Sequence, residues 1–280
     1  FLKGIYANTG ELIVNTANDD GGDGLNARVR FTPQTSGTYY IDASAYDGTG
    51  SYSLRVRQVT APAPINSTTV SSNFDIDIAY SGDAQYQVYF QSAIEFWETI
   101  ILEDLPNIGG IDDLLIDVSV TNIDGVGGIL GQAGATQWRD TYLPYRGQMR
   151  FDSADLDSMV ADGTLQSVIR HEMGHVLGMS NLTWGYMNLI QGGYFIGEYA
   201  TQVYSSWTGR KEPGVPIEQD YGAGTAGSHW DEELFNTELM TGLVEHSGIM
   251  PISELTIASL ADMGYTVNFA AVENYEFDGV

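Results

Sequence analysis

The residues with the clearest chemistry stand in "SVIRHEMGHVLGMSN", positions 167 to 181. His171 and His175 are four residues apart, and Glu172 sits between them. Four residues of α-helix rise about 6 Å and return to nearly the same face. Both imidazoles can therefore point at one metal ion while the carboxylate alongside handles a proton. The chain has only four histidines and 15 glutamates, so chance would produce His-Glu-x-x-His roughly 0.003 times. A longer form of the pattern puts a third histidine at position 181, where Asn181 stands. A catalytic zinc keeps three protein ligands and one water, so another residue has to complete the set. By residue type the candidates are His229, His246, Glu198, Glu232 and Glu233, and the residues alone leave the choice open.

The segments that would position these groups read as an α+β chain. "NFDIDIAYSGD" alternates apolar residues at Phe74, Ile76, Ile78 and Tyr80, which predicts a strand. Tyr86, Tyr89, Phe90, Ala93, Ile94, Trp97, Ile100 and Ile101 keep the spacing of one buried helical face, with Asp83 as a plausible cap. "LLIDVSV", "GGILGQA" and "GQMRFD" follow as strands, and "SADLDSMVAD" as a short helix. The helix with the two histidines has its own apolar stripe at Leu165, Val168, Ile169, Val176 and Leu177, and Gly178 permits a sharp exit. From 181 to 228 glycines dominate and periodicity fades, so that stretch reads as irregular.

The amino-terminal 60 residues read as all-β, with "ARVRFTP", "GTYYIDASAY" and "GSYSLRVRQV" separated by glycine-rich turns. "APAPINSTTVSS", 61–72, has the composition of a linker. The turn "NDDGGDG" at 18–24 offers oxygen groups that suit calcium, but not the spacing of a helix–loop–helix calcium site. Calcium there stands as a possibility only.

A formal charge of −26 argues against binding nucleic acid or an anionic membrane. Residues 1–60 carry a net −1 and the remainder −25, so the acidity belongs to the larger part. With no cysteine, disulfides and thiolate metal sites are excluded. No apolar run approaches the ~18 residues of a membrane span. The composition suits a secreted, extracellular protein of bacterial style whose signal and pro-segment have been removed; oligomeric state is not legible.

Two resemblances sharpen this reading. "ANDDGG", "LNARVRFTP", "SGTYYIDASAY" and "GSYSLRV" resemble later strands of the bacterial pre-peptidase C-terminal domain, a β-sandwich attached to secreted peptidases. "IDDLLIDVSV", "IDGVGGILGQA", "GQMRFDSADL", "VIRHEMGHVLGM", "SHWDEELFNTELMTG" and "LTIASLADMGYTVN" together resemble the leishmanolysin family, in its cysteine-free bacterial form. That resemblance implies a metzincin-like zinc peptidase domain: a twisted mixed sheet, two main helices and an irregular C-terminal subdomain. It implies 73–280 as the catalytic domain, with an upper part 73–180 and a lower part 181–280. A long insertion begins at Asn181, and His229 beside Trp230 supplies the third zinc ligand. Met240 forms the methionine turn, and Glu172 is the general base for hydrolysis of protein or peptide substrates. The strand at Ile129, Leu130, Gly131, Gln132 and Ala133 rims the cleft. The competing readings are a peptidase with a carboxylate third ligand and a non-catalytic binding module on the same fold.

Overall fold

The computed structural model describes residues 2–13, 16–17, 36–44, 54, 56, 73–222, 224–244 and 250–278. The chain divides into two compact units, Phe1–Gln58 with Val280, and Val59–Gly279. In the first unit β1 (Leu2–Ala7) pairs antiparallel with β2 (Tyr39–Ala43). β2 falls within the expected "GTYYIDASAY" strand, and β1 precedes every strand read from the sequence. The hydroxyl of Thr16 accepts from the Ile5 amide at 2.8 Å and donates to the Ile13 carbonyl at 2.6 Å, tying the following turn to β1. The strand expected at "ARVRFTP", the possible calcium turn at 18–24 and the linker at 61–72 lie outside the described residues.

The second unit starts with β3 (Ile76–Ser81), α1 (Gln87–Ile100), β4 (Leu114–Thr121), β5 (Gly131–Trp138) and β6 (Pro144–Asp152). The sheet runs in the order β3-β4-β6-β5. β3, β4 and β6 are parallel, and β5 is an antiparallel edge strand. Next come α2 (Leu156–Asp162) and α3 (Leu165–Val176), which carries the two histidines. Inward residues of the sheet, among them Ile76, Leu114, Ile116, Met149 and Phe151, are buried, as are Phe90, Ala93, Ile94, Trp97 and Ile100 on α1. Removing these surfaces from water is the main drive that clamps helices to sheet. One directional bond sets the crossing: the Trp97 indole donates to the Arg170 carbonyl at 3.0 Å, one residue before His171.

The stretch expected to be irregular is in fact built of regular elements. It holds α4 (Asn181–Tyr186), β7 (Ile190–Gln191), β8 (Tyr194–Phe195), α5 (Glu198–Thr208) and β9 (Val215–Pro216), the three strands forming a small antiparallel sheet. Helix α6 (Glu232–Phe235) and α7 (Glu254–Met263) complete the chain. α5 has no clear local start signal, because its first turn lacks a side-chain cap of its own. Asp262 of α7 caps it instead, accepting from the Tyr199 and Ala200 amides at 2.8 and 2.9 Å. A cap from more than 60 residues away has no local signature. Among the described residues no helix is long and apolar enough to cross a membrane.

Asp152, at the end of β6, organises the loop that leads into β5. Its carboxylate accepts from the amides of Ile123, Asp124, Gly125 and Ala154 at 2.8 to 3.0 Å. These donors, the Ala154 amide foremost, hold its pKa down at about 2. A folded-state pKa below the unfolded value of about 3.9 contributes stability above that pH, and the contribution disappears as pH falls through 2. Asp152→Asn should therefore unfold at lower urea than the parent at pH 6, with the gap closing between pH 4 and about 2. A gap of constant size across a pH series of urea melts would contradict this role.

Candidate metal centre

Three imidazoles converge. The Nε2 atoms of His171 and His175 lie 3.0 Å apart, those of His175 and His229 3.0 Å, and those of His171 and His229 3.2 Å. The His171 and His229 rings are nearly parallel, and His175 stands perpendicular to both. Each remaining ring nitrogen meets a backbone carbonyl. His171 Nδ1 lies 2.7 Å from Leu239 O, His175 Nδ1 2.6 Å from Met179 O, and His229 Nδ1 2.7 Å from Thr225 O. A carbonyl oxygen only accepts, so every Nδ1 carries the proton and every Nε2 presents a lone pair.

Three acceptor lone pairs facing one another cannot hydrogen-bond together and repel unless a cation lies between them. Nitrogens at ~2.0–2.1 Å from a tetrahedral zinc stand roughly 3.3 Å apart, close to the observed triangle. Burial holds all three rings neutral, as ligands must be: His171 is lowered to about 3, His175 well below its usual range, and His229 downward. These three residues form a group that can hold a metal ion. The set therefore fits zinc.

Glu172, on the same turn of α3, is buried, and burial raises its pKa to about 8. A dication nearby would favour the ionised form. β5 passes directly over it, since a Cβ placed on Gly131 would lie 2.9 Å from Glu172 Oε1. On the other side Met240 is fully buried against α3. A Cβ at Gly174 would come within 2.7 Å of its sulfur, so only glycine lets the methionine reach the helix between the two histidines.

His229 arrives by a long excursion. The chain leaves α3 at Gly178 (φ +106), passes through α4, β7, β8, α5 and β9, and returns beside its starting point. The Asn181 amide donates to Ser228 Oγ at 3.2 Å, and Glu218 N donates to His229 O at 2.9 Å. Asn181 thus lies next to the segment that delivers His229. The other candidates fall elsewhere. Glu198 and Glu233 are exposed, Glu198 bonding Gln202, and Glu232 accepts from the Leu243 amide. His246 lies outside the described residues. Of the cleft residues expected at 129–133, Ile129 and Leu130 precede β5, while Gly131, Gln132 and Ala133 open it, paired to β6 through Phe151, Arg150 and Met149.

Glu238 opens the Glu-Leu-Met stretch that the family resemblance marks, but its residue type gives no sign of its structural role, which proves central to this geometry. Its buried carboxylate accepts from Met240 N, Ser253 N, Ser253 Oγ and Thr256 Oγ1 at 2.6 to 2.9 Å. Ser253 caps α7, so the anion sits at the positive end of that helix. Trp230 Nε1 donates to Thr256 Oγ1 at 2.8 Å, and Trp230 N to Met240 O at 3.0 Å. One carboxylate therefore fixes the turn whose Leu239 carbonyl orients His171. A second acidic group, Asp104, Asp112 and Asp113, is of a different kind. The Asp113 oxygens are taken by the amides of Asp75 and Leu105, so they serve the backbone.

A mixed sheet over a helix bearing two of three convergent, neutral imidazoles defines the class of metallopeptidases. The chain belongs to the leishmanolysin family, whose model matches residues 107–277, and that family is one of zinc peptidases. No curated relative matches the chain.

Glu238→Ala would strand four buried donors, at a cost on the order of 3 kcal/mol. Urea melts should show that loss, and zinc titration should show weaker binding through a misplaced His171. Unchanged stability would mean the turn holds itself.

Proposed function

We propose that residues 73–280 form a secreted zinc endopeptidase in which His171, His175 and His229 hold one zinc ion and Glu172 is the general base. The observation that carries this reading is the triangle of Nε2 lone pairs, each aimed by an Nδ1–H bonded to a carbonyl. Bound zinc supplies a Lewis acid that brings the pKa of a water near 7 and polarises a carbonyl. Glu172 accepts the proton of the attacking water and passes it to the departing amine. The open edge of β5 at Ile129, Leu130, Gly131, Gln132 and Ala133 aligns an extended peptide as an added strand. In this reading Met240 forms the methionine turn without binding the ion, supported by its contact with α3 at Gly174. An acidic, cysteine-free chain supports an extracellular setting, with protein or peptide substrates as partners. The reading takes residues 1–60 as a separate β module that is dispensable for peptide-bond chemistry.

The test is casein hydrolysis with measured zinc content. Glu172→Ala should keep its zinc and lose on the order of 10²-fold or more in kcat; near-parental activity would remove the general-base role. His229→Ala should lose most of its zinc affinity while Asn181→Ala keeps it. The opposite ranking would return the third-ligand question to the carboxylates.

A further inference from the structure

Beyond the cleft residues, we propose that Trp138, Tyr142 and Tyr186 form a shelf that receives an aromatic side chain of the substrate, about seven residues N-terminal to the cleaved bond. The proposal rests on the peptidase reading above and extends it to a distant subsite.

The shelf is built rather than scattered. Trp138 is the last residue of β5, whose first residue, Gly131, lies over Glu172. Its indole Nε1 donates to Thr183 Oγ1 at 3.1 Å, and Thr183 is fully buried, so the ring is locked in place. Tyr186 of α4 meets Trp138 edge to face at 5.7 Å and stacks with Tyr142 at 5.5 Å. Tyr142 and Tyr186 nevertheless remain 45% and 44% exposed, with Leu182 beside them on α4 at 46%. Three rings fixed by one another with open faces are a ready surface for a fourth.

The backbone adds an independent sign. Tyr142 sits at φ +65 in the β5–β6 turn, closed by Tyr142 N→Arg139 O and Arg139 N→Leu143 O, both 2.9 Å. A bulky non-glycine residue there carries strain of about 1 kcal/mol or more, which glycine would avoid. The turn, despite that strain, keeps an aromatic ring in the open at the end of the strand read as the substrate's partner.

Geometry sets register and direction. The seven steps of strand from Gly131 to Trp138 span roughly 23 Å, or about seven residues of an extended partner. A peptide antiparallel to β5 brings its N-terminal side to Trp138, and antiparallel pairing is the more stable ladder per residue. The ligand is thus an extended peptide with an aromatic residue upstream of the bond.

Equilibrium binding tests this without hydrolysis, so its failure is separate from failure of the peptidase reading. The zinc-loaded Glu172→Gln protein is titrated with labelled peptides of about twelve Ser and Ala residues carrying one tryptophan near the N-terminus, near the C-terminus, or none. The N-terminal tryptophan should tighten binding about tenfold, and Tyr142→Ser with Tyr186→Ser, both exposed positions, should abolish that gain. No gain from tryptophan, absence of peptide binding, or a gain that survives both substitutions would overturn the shelf. A gain confined to the C-terminal tryptophan would overturn the antiparallel register.

Discussion

Placing three imidazole lone pairs within 3.0 to 3.2 Å of one another is the constraint on which the rest of this structure depends. Without a cation the arrangement is repulsive, so the fold must hold each ring against its neighbours. It does so with three backbone carbonyls, at Leu239, Met179 and Thr225. Those carbonyls come from the turn at Leu239 and Met240, the exit from α3 and the loop before His229. Each segment is held in turn by bonds to a different part of the second unit. The apolar core fixes where α3 lies; the carbonyls fix how its histidines are turned.

Charge is handled in an unusual way that follows from composition. With 11 basic residues against 37 acidic ones, most carboxylates cannot have a cation of their own. Burying an unpaired anion is costly unless donors surround it. Here the donors are chiefly backbone amides, joined at Glu238 by two hydroxyls. Asp152 gathers four of them, Glu218 accepts from Asp220 and Glu232, and Asp262 caps α5. Glu238 lies at the start of α7. Such bonds order loops without a cation, and those shielded from water are less screened by salt than exposed ion pairs. The acidic residues in the interior are thus part of the scaffold, and those outside supply the charge.

How far the sequence determined this can be followed residue by residue. Local spacing gave α1 and α3, because a helical stripe such as Phe90–Ala93–Ile94–Trp97 is written in consecutive turns. It also brought His171, Glu172 and His175 together, since all three lie on one helix. The alternating residues of β3 and β4 were legible for the same reason, while the start of β5 was set later, at Gly131, by pairing with Phe151 of β6. His229 was reachable only through family resemblance, because 52 residues separate it from the end of α3. Tertiary structure alone decided the rest. α5 exists where glycine-rich sequence suggested none, because its cap is a side chain of α7. Gly174 matters because a sulfur from a distant turn presses on it, and Glu238 because donors from its own turn and from the start of α7 meet at its oxygens. Spacing along one helix is a property of the chain, whereas the meeting of remote groups is a property of the packed fold.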